Sequence, residues 1–418
     1  MSTSSTPDPR GLHLMAKPIG ARCNLDCGYC FYLEKEGFPG RQGASRMDDA
    51  VLEAYVRRYI AAQPTPEVEF TWQGGEPTLM GLDFFEGAVA LQRRHAGDKI
   101  IRNTLQTNAT LLDDAWCAFL AREGFLVGVS LDGPPQLNDV ARPDKQGRGS
   151  SADVLRGIDA LRRHGVDFNV LVTVSSANVA HGAAIYHYLK SLGVRFMQFN
   201  PVVERDAPTP DGEDGATPIQ LHFARPPRLG REQQGAPAAL SAHSVDAQAW
   251  GDFLVSVFDA WIAADVGEVH VMNFEWALAA WCELPATTCI FAERCGRAAI
   301  VEADGSVYAC DHFMYPEYRL GNVLHDDPAA LLDSPTQRAF GAAKADSLPQ
   351  QCRTCDWRFA CHGECPKNRF AFTADGEPGL NVLCAGYLKY FRHITPAMNR
   401  MAQLLAAGRD AADVMQAA

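Results

Sequence analysis

The sequence predicts an α/β protein: a partial (β/α)6 barrel, open on one side, followed by a cysteine-rich region built on loops. Three observations carry this expectation. From residue 12 to residue 203, short β-rich runs alternate with amphipathic stretches, the signature of repeated β/α units around a parallel sheet. Between 204 and 243 that periodicity gives way to Pro, Gly, Ala and charge. Beyond about residue 282 cysteines crowd a loop-rich stretch, which should form a separate domain held together by metal more than by a large core.

The strands are expected at 12–19, 68–72, 100–106, 126–130, 168–174 and 195–200, with helices at 49–62, 82–94, 113–123, 152–164 and 179–192. Each helix follows its strand, as a barrel of parallel strands requires. In such barrels the functional residues collect on the loops after the strands. The segment 204–243 is too long and aperiodic for an ordinary connection and reads as an insertion or mobile loop. Ser244 is a candidate N-cap, with Asp246 favourable in the first turn of a helix running to about 264. This gives a barrel over 1–203, an insertion over 204–243, a linking helical segment over 244–281, the cysteine-rich domain over 282–395 and a helical tail over 396–418.

With 47% hydrophobic residues the chain can bury a sizeable core, and 38 Lys+Arg against 50 Asp+Glu leave a formal charge of -12. That balance argues against nucleic acid or an anionic membrane as the main partner. No apolar run approaches a membrane span, and the first ten residues lack the apolar core of a signal peptide, so a cytoplasmic protein is expected. In that reducing compartment thirteen cysteines point to metal ligation or catalysis instead of disulfides.

Directly after the first strand stands Cys23-Asn-Leu-Asp-Cys27-Gly-Tyr-Cys30. Three thiolates on one loop can bind three irons of a [4Fe–4S] cluster, one fewer than full protein ligation takes. The open iron can chelate S-adenosylmethionine (SAM), and the pattern, with Tyr29 before its last cysteine, resembles the radical SAM signature. A structural zinc site would want a fourth nearby ligand, and none is visible. The next strand ends in Gln73-Gly74-Gly75-Glu76-Pro77. Its paired glycines let the backbone approach a ligand, and Glu76 can accept hydrogen bonds from the SAM ammonium. Asn108 and Ser130 put small polar groups at the same rim, where they either hold SAM or cap the helices that follow.

Cysteine returns as Cys289, Cys295, Cys310, then Cys352-x2-Cys355-x5-Cys361-x3-Cys365, and Cys384. Eight thiolates suffice for two fully ligated [4Fe–4S] clusters. Cys117 and Cys282 remain, in helical patterns, as small hydrophobes. Taken alone, the 352–365 stretch suits zinc as well as iron–sulfur. An enzyme that must remove an electron from a product radical has a use for the latter.

The array of Cys295, Cys310, the four cysteines of 352–365 and Cys384 resembles the SPASM domain of radical SAM peptide-modifying enzymes. More closely, Cys27-Gly-Tyr-Cys-Phe-Tyr32, Gln73-Gly-Gly-Glu-Pro-Thr-Leu79, Cys310-Asp-His-Phe313, Glu317-Tyr-Arg-Leu-Gly-Asn322 and Leu383-Cys-Ala-Gly-Tyr387 resemble the anaerobic sulfatase-maturating enzymes. The resemblance implies a partial TIM-type barrel with a C-terminal SPASM-type domain, SAM and three [4Fe–4S] clusters. It implies one auxiliary cluster on Cys289, Cys295, Cys310 and Cys365 and another on Cys352, Cys355, Cys361 and Cys384. It further implies oxidation of a Cys or Ser, in a Cys/Ser-x-Pro-x-Arg type motif of a sulfatase, to formylglycine, with Asp311 as base. Tyr29, Gln73, Gly74, Gly75, Glu76, Asn108, Ser130 and Arg142 are then candidate SAM contacts, and Tyr32 and Gln73 candidate peptide contacts. An electron donor such as flavodoxin or ferredoxin is implied, and a monomer is expected, since a large peptide must reach the open barrel side.

The chain departs from that pattern at Asn138-Asp139-Val140-Ala141-Arg142, where the family usually has His-Asp followed by Tyr-Arg, and at Asn108-Ala109 in place of Asn-Gly. Two other functions compete. One is a radical SAM/SPASM maturase making thioether or carbon–carbon crosslinks in a ribosomal peptide; the other is a non-catalytic iron–sulfur or zinc protein.

Overall fold

In the computed structural model, residues 11–32, 46–206 and 239–417 are described. Six parallel strands lie side by side in chain order: β1 (His13–Lys17), β2 (Glu67–Trp72), β3 (Ile100–Thr107), β4 (Leu126–Ser130), β5 (Phe168–Val174) and β6 (Phe196–Pro201). The helices α1 (Asp49–Ala62), α2 (Leu82–His95), α3 (Asp114–Glu123), α4 (Pro135–Ala141), α5 (Ser151–Arg163) and α6 (Gly182–Ser191) connect them. Local chemistry sets their ends. Asp48 caps α1 by accepting from the Val51 N–H, Asp113 caps α3 from Trp116, and α3 stops where Gly124 turns left-handed.

Side chains alternate across each strand. Leu14, Ala16, Val68, Phe70, Trp72, Leu105, Val127, Val129, Val170, Val172, Met197 and Phe199 are buried together beneath the helices. Tyr55 on α1 stands edge-on to Phe70 and Trp72 and donates to the Leu14 carbonyl at 2.7 Å. The opposite face carries Thr71, Gln106, Ser130, Asn169, Gln198 and Asn200, all half-buried. A polar, half-open inner face is what a barrel with a ligand cavity needs.

The sheet does not end with the sixth strand. β7 (His270–Val271) pairs with β6, β8 (Ala298–Glu302) pairs in parallel with β1 along its whole length, and β9 (Ser306–Tyr308) and β10 (Arg319–Asn322) follow antiparallel. The C-terminal region, read from sequence as a separate metal-held domain, thus contributes three strands to one ten-stranded sheet and shares its core. The expected helix after Ser244 is α7 (Ala247–Ile262), and its cap is Asp246, which accepts from the N–H groups of Gln248 and Ala249. Ser244 instead exchanges hydrogen bonds with the Glu204 backbone, 2.8 and 2.9 Å long. α8 (Met272–Trp281) completes the linking segment. The helical tail expected over 396–418 is the second half of one helix, Cys384–Ala406, followed by a 3-10 helix over Ala411–Ala417.

Of the insertion expected over 204–243, residues 207–238 lie outside the described residues. Its two ends are joined: Arg205 bridges Leu240, and the Ser241 N–H donates to the Glu204 carbonyl. Among the described residues no helix is long and apolar enough to cross a membrane.

Candidate active site

β1 runs into the loop that carries Cys23, Cys27 and Cys30, all half-buried. The loop is held from several sides. Leu25 donates its N–H to the Cys23 sulfur at 3.4 Å, Asn24 donates to Thr110 at 2.8 Å, and Asp26 donates its N–H to the Pro143 carbonyl. Cys27 lies close enough to feel the charge of both Cys23 and Cys30, and Cys23 that of Cys30. Burial pushes Cys23 up to about 11 and Cys27 up to about 12, with Arg142 the nearby cation that pulls both down. Thiols so placed ionise readily only when further positive charge joins them, as iron would.

The Gly-Gly-Glu-Pro turn after β2 lies against this loop. Gly75 donates its N–H to the Gly20 carbonyl and Glu76 to that of Arg22, both at 2.8 Å. A Cβ on Gly75 would stand 1.9 Å from the Arg22 oxygen, so this glycine is required by loop-to-loop packing. Glu76 is fully buried and accepts four hydrogen bonds: from the N–H and hydroxyl of Thr78, from Thr107, and from the Asn108 N–H. Three of the four fall on Oε1 and one on Oε2, and together they tie the β2 loop to the end of β3. Asn108 continues the tie, donating to Asn24 at 2.8 Å, and Ser130 accepts from Gln106 at 3.0 Å.

Tyr29 and Arg142 meet at Asp132, which is fully buried at the end of β4. The Tyr29 hydroxyl donates to one Asp132 oxygen and Arg142 lies 3.5 Å from the other while donating to the Tyr29 oxygen at 2.6 Å. Asn138, where the family pattern has His, accepts from the Asp132 N–H, and its neighbour Asp139 takes the N–H and hydroxyl of Ser151 at the start of α5. The departure at this loop is thus absorbed by internal hydrogen bonds. Buried and without a hydrogen-bond partner among the described residues are the Gln73 Oε1, the Arg142 Nε and the Asn169 Oδ1. Buried polar atoms cost free energy unless paired. Gln73 ends β2, and Asn169 converges with Gln106 beside Gly128 on the inner face, so this rim fits a polar ligand such as SAM.

The eight later thiols sort into two sets by which of them feel one another's charge. Cys310 and Cys365 both feel Cys289 and Cys295, whereas Cys361 feels Cys352 and Cys384, and Cys384 feels Cys352 and Cys355. Burial raises the pKa of Cys295 to about 11 and of Cys361 and Cys384 to about 12. Among the described residues no three His, Cys, Asp or Glu side chains are gathered to hold a single metal ion. Cys117 is buried in the core and Cys282 ends α8.

Asp311 follows Cys310 and opens a short 3-10 turn. Its carboxylate lies 2.7 Å from the ammonium of Lys17, the last residue of β1. Lys17 is 2% exposed and stands 4.2 Å over the Tyr32 ring, whose hydroxyl donates to Glu302 at 2.9 Å. His312 packs against Phe31, with ring centroids 5.3 Å apart. Lys17 and Glu302 escaped the sequence reading. Their signal was present: each is a lone charge closing an apolar strand, and the two are register partners of β1 and β8.

Residues 18–187 match the radical SAM superfamily, and residues 289–356 match the SPASM iron–sulfur cluster-binding domain. The chain is 41% identical over 416 residues to the serine-type anaerobic sulfatase-maturating enzyme of Bacteroides thetaiotaomicron, covering 100% of this chain and 97% of that one. It is 30% identical over 394 residues to the cysteine-type enzyme of Clostridium perfringens, covering 94% and 98%. The solved structure of native anSMEcpe with bound AdoMet and Cp18Cys peptide superposes with a TM-score of 0.79 at 29% identity, covering 94% of this chain and 99% of that one. SuiB of Streptococcus suis bound to its precursor peptide shares the fold, at 13% identity and a TM-score of 0.58 over 89% of this chain and 75% of that one. Matched nearly end to end by such relatives, the chain belongs to the anaerobic sulfatase-maturating enzymes, a radical SAM family with a SPASM iron–sulfur domain.

Proposed function

We propose that this protein oxidises a Cys or Ser side chain, in a Cys/Ser-x-Pro-x-Arg type motif of a sulfatase polypeptide, to formylglycine. The observation that carries this is the position of Asp311. It comes from the cysteine-rich region, yet its partner is Lys17, the residue from which β1 enters the cysteine-triad loop, at 2.7 Å. A carboxylate at that place serves as base where a substrate Cβ must lose hydrogen.

SAM and iron–sulfur clusters, when bound, supply a 5′-deoxyadenosyl radical to take one hydrogen atom and a sink for the second electron. Cys23, Cys27 and Cys30 would hold the cluster that faces SAM. Cys289, Cys295, Cys310 and Cys365 would hold one auxiliary cluster, and Cys352, Cys355, Cys361 and Cys384 the other. Gln73, Asn108, Ser130 and Arg142, with the Gly74–Gly75 backbone, line the SAM side; Tyr32 and Gln73 face the peptide. Asp311 takes the proton of the thiol or hydroxyl. Two hydrogens leave the substrate in all, and water then hydrolyses a thioaldehyde from Cys to the aldehyde with release of hydrogen sulfide. Lys17 holds the carboxylate in place. Flavodoxin or ferredoxin supplies the initiating electron to a monomeric cytoplasmic enzyme.

The test is to incubate anaerobically reconstituted, reduced protein with SAM and either a Cys-x-Pro-x-Arg or a Ser-x-Pro-x-Arg peptide, and to look for the aldehyde by mass spectrometry and hydrazine trapping. Aldehyde from either peptide supports the reading. Vigorous SAM cleavage with both peptides unchanged would sink it, and a crosslinked peptide would point to the other maturase chemistry.

A further inference from the structure

The two auxiliary cysteine sets meet at one short turn. Cys361 of one set and Cys365 of the other are separated by His362, Gly363 and Glu364, and all three have positive φ, at 47°, 72° and 54°. For a residue other than glycine this region is strained and persists only where the surroundings enforce it. Arg369 enforces it. Its guanidinium donates to the carbonyls of His362 at 2.7 Å, Gly363 at 2.8 Å and Glu364 at 3.0 Å, and its remaining arm reaches the Lys344 carbonyl at 2.5 Å. With the carbonyls turned to Arg369, the Gly363 N–H turns to the Cys361 thiol. The guanidinium is buried, 3% exposed, and its charge bears on Cys352 and Cys361 on one side and on Cys365 on the other.

Lys344 offers a contrast. It is fully buried and donates to the carbonyls of Cys289 and Ile290 at 2.7 and 2.8 Å, and its charge bears on Cys289, Cys295 and Cys365. It serves one set where Arg369 serves both.

We propose that Arg369 is a positioning residue for the auxiliary clusters: it locks the turn that spaces the two cysteine sets, and its fixed charge favours the reduced form of both. The proposal rests on the assignment of the eight cysteines to two clusters given above. A guanidinium keeps its proton in proteins, so the charge is permanent. A cation beside a cluster stabilises the added electron and raises the reduction potential; its removal lowers it.

The test uses full-length, anaerobically reconstituted protein with iron and sulfide counted first, then a redox titration followed by electron paramagnetic resonance. Arg369→Met should lower the reduction equilibrium of both auxiliary clusters at least tenfold, about 59 mV for a one-electron couple. It should also alter the magnetic coupling between them once both are reduced. Lys344→Met should lower only the cluster on Cys289, Cys295, Cys310 and Cys365. Where Arg369→Met fails to load iron, Arg369→Lys keeps the charge without the fork and should show near-native potentials with changed coupling. Native potentials and coupling in loaded Arg369→Met, native coupling in Arg369→Lys, or equal shifts of both clusters in Lys344→Met would each overturn the proposal. Cys361→Ser and Cys365→Ser test the cysteine assignment itself. Each should remove the signal of a different cluster, and loss of the same signal from both would break the assignment first.

Discussion

Lys17 ends β1 with its ammonium 2.7 Å from the Asp311 carboxylate, joining the barrel to the region that carries the auxiliary cysteines. The lysine is shielded from water and lies over the Tyr32 ring, so little screening weakens its hold on the acid. Asp311→Asn should keep iron content and peptide-independent SAM cleavage while aldehyde formation falls by about 10²–10⁴-fold, the range a general base contributes. Lys17→Met should fall in the same direction by roughly tenfold, since it misplaces the base without deleting it. Aldehyde per SAM cleaved, read by mass spectrometry, checks both. A Lys17→Met enzyme with native aldehyde yield would mean the ion pair does nothing for the reaction.

The contact between the Gly75 backbone and the triad loop makes a second expectation. An added Cβ at residue 75 would meet the Arg22 oxygen at 1.9 Å, and backbone cannot swing aside as a flexible side chain can. Gly75→Ala should cost about 1–3 kcal/mol by overpacking and loosen the grip on the triad loop. Gly87, inside α2, is the control: a Cβ there meets nothing within 4 Å, and Gly87→Ala should stabilise by about 0.5–1 kcal/mol through helix propensity. Thermal unfolding of the two variants before reconstitution should move in opposite directions.

The six barrel strands were legible because each is a short β-rich run set between amphipathic helical stretches. The expected 126–130 and 168–174 coincide with β4 and β5 to the residue. β8 was not, although Ala298–Glu302 is an apolar run, because cysteine spacing dominates its neighbourhood and nothing local says that β1 has a free edge to fill. β7 has two residues, too few to show any period. At the site, motif positions such as Tyr29 and Asn108 were legible, but their hydrogen-bond partners were not. That Glu76 faces Thr78, Thr107 and Asn108 follows only from how two loops pack.

Arg142 supplies the cation for a fully buried carboxylate, Asp132, and for the Tyr29 hydroxyl between them. Burial holds the Asp132 pKa above the ordinary carboxylate value, and the first influence opposing it is Arg142. Removing one partner of such a pair strands the other, at about 3–5 kcal/mol. Arg142→Met should therefore lower the unfolding midpoint as well as SAM affinity. Arg142→Met with Asp132→Asn should recover part of the stability without recovering SAM binding, measured by calorimetry and equilibrium dialysis. Stability unchanged in the single variant would show that Asp132 is held neutral.

In the assignment proposed above, thirteen thiols divide into eleven cluster ligands and two that bind no iron, and iron should report the division. Cys117 is packed in the core against the α3 side of the sheet, and Cys282 closes α8. Cys117→Ala and Cys282→Ala should therefore reconstitute with native iron and sulfide. Cys117→Ala should lose about 1 kcal/mol of stability, comparable to one buried methylene-sized group. Replacing Cys289 or Cys355 by Ala should each remove about four irons per chain, from different clusters, because a cube missing one of four thiolates is open to solvent and oxidant. Chelating all iron should lower the unfolding midpoint of the C-terminal half more than that of the barrel. The barrel keeps its aromatic core around Tyr55, Phe70 and Trp72, whereas the turns at 289–295 and 352–365 carry six of the eight later thiols. Hydrogen exchange, read segment by segment on iron-loaded and stripped protein, checks this. Equal protection losses in both halves would place the stabilising iron in the triad loop instead.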